Sequence, residues 1–388
     1  MYKRLLSLPK KPTQSFFLWG PRQAGKTTLL KKSYPDAYRI DLLKSDLVIR
    51  YLQNPSVFRE EVMALPKSQL VIIDEIQKVP VLLNEIHYLI QEENRVFGMC
   101  GSSARKVRRG HANLLGGRAI RYELLGLSAI EIGKDFNIEH MLNSGPIPSH
   151  YTSKNPLRLI QSYIDDYLKE EILQEGLIRS LPIFSDFLRV AAIGDTQIVN
   201  FSNIARESGV SANTVRDHYN ILEDTLMGAF LPAYRRRPKR RMINAPKFYF
   251  RDVGVVNHLS RRGIIQSGSE LFGRAFENWI FNELSIHSYY TETFYDISYW
   301  RLTTGLEVDF ILGNAAVALE VKAKEKITSN DLKGLRQFRL EYPDVKQCIV
   351  VSLEKNARLL KDGILILPYA GFLQRLWSRE WSQDLTAR

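Results

Sequence analysis

Ser15-Phe-Phe-Leu-Trp-Gly20-Pro-Arg-Gln-Ala-Gly25-Lys26-Thr27 is the stretch on which the fold turns. It opens with an apolar run that reads as a buried strand and closes on KTTLLKK, the start of a helical pattern. Between them G-x-x-x-x-G-K-[ST] is filled at every fixed position by Gly20, Gly25, Lys26 and Thr27. The chemistry needs that order: glycines let backbone N–H groups close around phosphate oxygens, and the following helix directs its positive end at them. Pro21, Arg22, Gln23 and Ala24 form the body of the loop and Thr28 follows it; Lys26 is placed to neutralise the β and γ oxygens of ATP, and Thr27 to ligate magnesium.

Outward from this loop, short apolar runs (YRIDL, LVIID, FGMCG) alternate with longer helical patterns such as VLLNEIHYLIQEE, up to about Phe136. Such alternation predicts an α/β fold, a parallel sheet with helices on both faces. The LVIID strand ends in Asp74 and Glu75, so Asp74 is expected to hold the magnesium and Glu75 to orient and deprotonate the attacking water, unless the protein binds ATP without hydrolysing it. Ser102 and Ser103 follow the next strand, either as polar groups facing the γ-phosphate or as plain turn residues. Charge building on the γ-phosphate calls for a cation supplied by a neighbour, for which Arg118 after two glycines is the candidate; Arg121 falls inside the next strand and Arg105 is the weaker choice.

GPRQAGKTTLL, VIIDEIQKVP, GSSARK and LLGGR together resemble a prokaryotic branch of the AAA+ ATPases, and the resemblance covers nearly the whole chain. It implies an ATP-hydrolysing domain, then a winged-helix-like segment, then a C-terminal domain similar to PD-(D/E)xK nucleases.

The 388 residues suggest two or three domains. We expect the P-loop domain over 1–140, a linker over 141–156 where Ser, Asn, Pro and Gly cluster, a helical region over 157–268 and an α/β domain of restriction-endonuclease type over 269–388. No apolar run is long enough to cross a bilayer, the N-terminus lacks a secretory pattern, and Cys100 and Cys348 sit in apolar strand-like runs; a cytoplasmic protein with reduced, buried thiols and no membrane partner is expected. The net charge of +12 makes a polyanion a plausible partner, and six of the seven residues from Arg235 to Arg241 are basic.

FSNIARESGV-SANTVRDHYNILED reads as a helix-turn-helix, turning at Gly209, with Ser211 capping the second helix. Ile204, Ala205, Val210, Val215 and Leu222 form the inner face; Asn213, Thr214, Arg216 and His218 are expected outside. DNA contact and a protein-interaction lid are both open readings, as are a DNA-binding wing and a solvated loop for YRRRPKRR, whose aromatic flanks Tyr234, Phe248 and Tyr249 offer stacking or packing.

Asp309 in LEVDFIL and Glu320 and Lys322 in ALEVK complete the list. Residues two apart on a strand share a face, and a hairpin brings Asp309 alongside. Two carboxylates beside a lysine suit magnesium-assisted phosphodiester cleavage, with Asp309 and Glu320 on the metal and Lys322 steering the water. The set resembles the PD-(D/E)xK core, with Val308 where the first motif has proline, and the resemblance implies Glu277 as the helical acid that completes it. An inactive scaffold of the same fold is the alternative. The expected assembly is a homo-oligomer in which Arg118 reaches a neighbour's ATP.

Overall fold

The computed structural model describes residues 2–102, 114–167, 178, 180–235 and 243–386. Its first layer is a five-stranded parallel sheet of β1 (Ser15–Trp19), β2 (Tyr38–Asp41), β3 (Val71–Asp74), β4 (Phe97–Gly101) and β5 (Ala119–Glu123) in the order β2-β3-β4-β1-β5. Strand alternation sorts its core into two faces. Phe17, Trp19, Ile73 and Met99 pack with the helix Leu82–Glu93, while Phe16, Leu18, Ile72 and Cys100 pack with the helix Lys26–Ser33. Because all strands run the same way, the loop after β1 and the end of β3 share one edge.

The expected linker is instead folded. Ile138–Ser144 and Pro148–Tyr151 are helices, with His150 and Tyr151 buried. The residues that suggested a linker work as punctuation: Asn137 caps the first helix by accepting from His140 N–H, Gly145 turns at φ 76° and Pro148 starts the second.

In the middle region, the helices Phe201–Ser208 and Ala212–Asp224 flank Gly209 at φ 65°, capped by Asn200 and Ser211. An antiparallel pair follows, β6 (Gly228–Leu231) with β7 (Lys247–Phe250). Val215 and Leu222 are buried as expected. His218 is not on the outer face: it is buried against the rings of Phe184 and Phe187, at 5.0 and 4.9 Å, because the helix Leu181–Ile193 covers that side.

The C-terminal region is a mixed sheet of six strands: β8 (Ile297–Arg301), β9 (Glu307–Leu312), β10 (Val317–Lys322), β11 (Gln347–Ser352), β12 (Arg358–Leu359) and β13 (Ile364–Pro368), in the order β12-β13-β11-β10-β9-β8. Helix Glu270–Tyr290 covers one face and Lys333–Glu341 the other. The amphipathic pattern read in the first of these understates its burial. Its residues reach the C-terminal sheet, the middle region and the P-loop sheet, so most of its circumference is enclosed.

Among the described residues, no helix is long and apolar enough to cross a membrane. Cys100 and Cys348 are free and buried.

Candidate active site

The loop after β1 has the shape its residues dictate. Gly25 lies at φ 95°, a region that L side chains rarely adopt, and a Cβ on Gly20 would come within 2.4 Å of the Leu124 carbonyl oxygen. The helix Lys26–Ser33 has no acidic residue in its first turn, so the positive end of its dipole is uncompensated from within. The Lys26 ammonium is buried and donates to the carbonyls of Gly20 and Pro21 at 2.8 and 3.0 Å. Ala24 is buried, Thr27 and Thr28 are exposed, and Gln23, at φ 60°, accepts from the Ser149 hydroxyl at 2.7 Å. That last contact ties the loop to the segment expected to be a free linker.

At the end of β3 the Thr27 hydroxyl donates to Asp74 Oδ2 at 2.6 Å. The other oxygen, Oδ1, accepts from the Cys100 thiol at 2.6 Å. Burial first, then the neighbouring Asp74 charge, push the Cys100 thiol well above its usual range, so it remains a donor. A hydroxyl and a carboxylate this close are hard oxygen donors of the kind magnesium takes, so this pair fits the ion. Glu75 stands in the left-handed region at φ 59°, turned out of the strand, and accepts from the Gln77 amide, which also donates to the Ser102 hydroxyl at 3.2 Å. Sequence reasoning missed Gln77, which is buried and joins Glu75 to the end of β4. Two residues after an acidic pair, in a short 3₁₀ turn, it carries no periodic signal. Ser103 and Arg105 lie outside the described residues.

Arg118 is exposed, and among the described residues its guanidinium makes no hydrogen bond or ion pair. Its strand pairs Ala119 with Ser15 at the start of β1, whereas the phosphate loop follows the end of β1. Five residues of strand rise separate the two, about 16 Å, so Arg118 stands at the far end of β1 from the phosphate loop of its own chain. Arg121 is in the adjoining strand, as expected, paired with Glu123 at 2.6 Å.

Arg4, also missed, braces the loop from behind. It donates to Ala24 O at 2.7 Å, to Leu125 O at 2.6 Å, to Gly126 O at 2.9 Å and to the Tyr290 hydroxyl at 3.2 Å, and it pairs with Glu131 at 3.1 Å.

The C-terminal carboxylates form a second centre. Register places Glu320 beside Asp309, whose Oδ2 accepts from Val321 N–H at 2.8 Å. Lys322 lies 2.5 Å from Glu320 and 3.7 Å from Asp309, so these three are brought together. Glu277 is engaged elsewhere: it accepts from Lys247 at 3.1 Å and from the Tyr249 hydroxyl at 2.6 Å, while Lys247 also holds Glu307 at 2.5 Å. Burial pushes the Glu320 carboxyl up to about 8, helped by Asp309 and opposed by Lys322. Burial works against the charged form of Lys247, but Glu277, Glu307 and Asp309 outweigh it and hold the ammonium above its ordinary range.

The expected magnesium set of Glu277, Asp309 and Glu320 is only partly drawn together: Asp309 and Glu320 share Lys322, while Glu277 is held by Lys247. Among the described residues no three His, Cys, Asp or Glu side chains are arranged to hold a metal ion, and two lysine ammoniums fill the spaces between the carboxylates.

The basic tract, read as a wing, falls between β6 and β7. Its entry and exit both dock on β8: Tyr234 N–H donates to Tyr299 O at 2.7 Å and Ile243 N–H to Arg301 O at 3.1 Å. Arg235 is exposed; Arg236 to Arg241 lie outside the described residues. Tyr234, Phe248 and Tyr249 are buried, so these aromatics pack rather than offer faces to bases.

Comparison with known proteins divides the chain in three. Residues 12–133 match the family described as "AAA domain" and carry a P-loop ATPase-like domain; residues 145–264 and 272–372 match two families described as domains of unknown function, DUF8612 and DUF4143. The uncharacterized protein Rv2008c of Mycobacterium tuberculosis is 24% identical over 365 residues, 90% of this chain and 79% of that protein. Among solved structures, the replication initiator DnaA bound to AMPPCP and single-stranded DNA aligns with 55% of this chain and 83% of its own at 14% identity and TM-score 0.29. The Aeropyrum pernix ORC1 protein in complex with DNA aligns with 65% and 87% at 10% identity and TM-score 0.25.

Proposed function

We propose that this chain is an ATP-hydrolysing AAA+-type protein whose nucleotide cycle acts on DNA bound by the middle and C-terminal regions. The observation that carries the reading is the convergence of Lys26, Thr27, Asp74 and Glu75 on one sheet edge, with Glu75 turned out of its strand.

In the proposed cycle Lys26 exchanges the carbonyls of Gly20 and Pro21 for phosphate oxygens, and the loop amides surround the remainder. Thr27 and Asp74 would hold magnesium, which neutralises phosphate charge when bound. Glu75 takes the proton of the attacking water while Gln77 fixes its carboxylate relative to Ser102. Since Arg118 lies at the opposite edge, it serves a neighbouring copy's nucleotide, which makes the active species a homo-oligomer. The helices Phe201–Ser208 and Ala212–Asp224 with β6 and β7 form a winged-helix-like module, and the basic tract, anchored on β8, supplies phosphate contacts. The C-terminal domain keeps a PD-(D/E)xK-like pattern, but no metal-assisted cleavage is assigned to its lysine-filled centre.

A second reading, a nucleotide-dependent switch that docks a protein and carries an inactive nuclease-like domain, is favoured by that filled centre and by Arg216 and Asp217 alternating on the exposed face of the second helix. One titration separates them. ATP turnover and duplex binding are measured from 50 to 200 mM salt for wild type, Glu75→Gln and Arg235→Ala/Arg236→Ala. The first reading expects turnover to fall on the order of a hundred-fold or more in Glu75→Gln. It also expects duplex affinity to fall steeply with salt, with a shallower slope in the arginine variant. Undiminished turnover in Glu75→Gln removes the hydrolytic assignment. Duplex binding that is absent, or insensitive to salt, selects the protein switch.

A further inference from the structure

We propose that Lys247 is an intramolecular plug: carried on β7 by the middle region, it closes the C-terminal carboxylate centre to divalent cations. The inference rests on the reading above for the nuclease-like character of that centre, and names what regulates it.

Charge balance is the first argument. With Glu320 ionised, as a bound cation requires of it, Glu277, Glu307, Asp309 and Glu320 face Lys247, Lys322 and Arg301, so one negative charge is left over. Withdrawing Lys247 leaves two, the charge of one divalent cation. The second argument is an open donor. Glu320 has 8% of its side chain exposed; one carboxylate oxygen is held by Lys322 and the other, Oε2, has no hydrogen-bond partner. Buried polar atoms are rarely left unpaired, and an orphaned carboxylate oxygen within an acidic centre is a ligand position.

The third argument is where Lys247 comes from. Its own strand belongs to the middle region: Lys247 pairs with Leu231 of β6 and bridges to Ile198, and Val199 N–H donates to Pro246 O at 2.8 Å. Yet its ammonium ends among C-terminal carboxylates, 3% of the residue exposed, with the Tyr299 ring 5.5 Å away. A buried ammonium is tolerated only with such partners, and its removal exposes each of them to an uncompensated neighbour. Displacement of β6 and β7 from β8 and β9 would thus vacate a cation position without altering any residue of the C-terminal domain. The closure is set by how the two regions dock.

The test is a Mn²⁺ titration of the nucleotide-free full-length chain followed by electron paramagnetic resonance, with ATP turnover measured on the same preparations. Wild type is expected to show no Mn²⁺ site that depends on Glu277. Lys247→Met should gain one, at least ten-fold tighter than any wild-type binding, and lose it again with Glu277→Gln. Lys247→Met/Glu307→Gln, which removes one charge of each sign, should gain a weaker site that still depends on Glu277, and guards against a single variant too strained to fold. Wild-type Mn²⁺ binding that already weakens in Glu277→Gln overturns the plug whatever the lysine variants do, and so does a folded lysine variant with no new site. ATP turnover should be unchanged by Lys247→Met. A gained Mn²⁺ site in a chain that hydrolyses no ATP would sink the ATPase reading and leave the plug standing.

Discussion

Replacing Arg4 by alanine tests whether the phosphate loop is braced from behind. The side chain is 8% exposed, and Glu131 beside it is fully enclosed. Alanine would strip three carbonyls, those of Ala24, Leu125 and Gly126, of a charged donor and leave Glu131 as a buried carboxylate without its cation. Breaking a buried pair from one side costs roughly 3–5 kcal/mol. Glu131 keeps two backbone donors, Leu5 N–H at 2.6 Å and Ser128 N–H at 3.2 Å, so we expect the lower end, about 3 kcal/mol. Hydrogen exchange at the amides of Leu5, Ser128 and Ala129 reads the loss locally, and about 3 kcal/mol corresponds to exchange faster by on the order of a hundred-fold. ATP affinity should fall in parallel, because Ala24 belongs to the phosphate loop. Arg4→Lys should recover part of the loss, since one ammonium cannot span carbonyls that a guanidinium fork reaches together. A second variant, Glu131→Gln, closes the cycle: the double variant should cost less than the two single costs combined. Exchange in Arg4→Ala within about five-fold of wild type, which is about 1 kcal/mol, would refute the brace.

Two further outcomes are expected. Gln77→Ala should lower kcat roughly ten-fold with little change in KM for ATP, because Gln77 orients Glu75 and touches no phosphate; a rise in KM at constant kcat would show it acting in binding instead. Burial, opposed by the Phe250 amide and Arg262, pushes the Asp195 carboxyl up to about 7. A carboxyl that is harder to ionise in the folded chain binds more protons there than in the unfolded chain between about pH 4 and 7, so its contribution is full below that window and is lost as pH rises through it. The unfolding free energy from urea titrations should fall across that window by at most about 4 kcal/mol from this residue, and Asp195→Asn should flatten the fall. An identical slope in the variant would show that Asp195 does not titrate in this range.

The P-loop sheet was legible because its signals are local. A strand, two glycines, a lysine and a threonine lie within thirteen residues, and each apolar run became the strand it suggested. The helix-turn-helix was readable from Gly209 and Ser211 for the same reason, but His218 was misplaced, since only the packing of Phe184 and Phe187 across more than thirty residues decides which way it faces. The 141–156 segment shows the limit of composition: Asn, Gly and Pro mark helix ends as readily as loops, and burial depends on partners such as Asp252, which a Cβ on Gly145 would strike at 1.9 Å. Glu320 and Lys322 followed from strand period, and Asp309 from the hairpin that joins their strands. Lys247 could not be found in this way. It sits in a different region of the chain from Glu277 and Glu307, and its meaning comes from which strand is docked against which.

The helix Glu270–Tyr290 brings these separate sites into one mechanical problem. At its end, the Tyr290 hydroxyl accepts from Arg4, which itself holds Ala24 of the phosphate loop, and from Leu125 N–H. About two turns earlier Glu283 accepts from Ala129 N–H at 2.7 Å, beside the Glu131 that pairs with Arg4. Further back, Asn278 donates to Asp195 of the middle region at 2.9 Å, and Glu277 accepts from Lys247. Thirteen residues of helix separate Glu277 from Tyr290, about 20 Å at the usual rise. A buried helix of that length moves as a body more readily than it bends. The brace behind the phosphate loop and the ammonium that closes the carboxylate centre thus hold one buried helix at two places about 20 Å apart, which is how two regions distant in sequence share a single packed support.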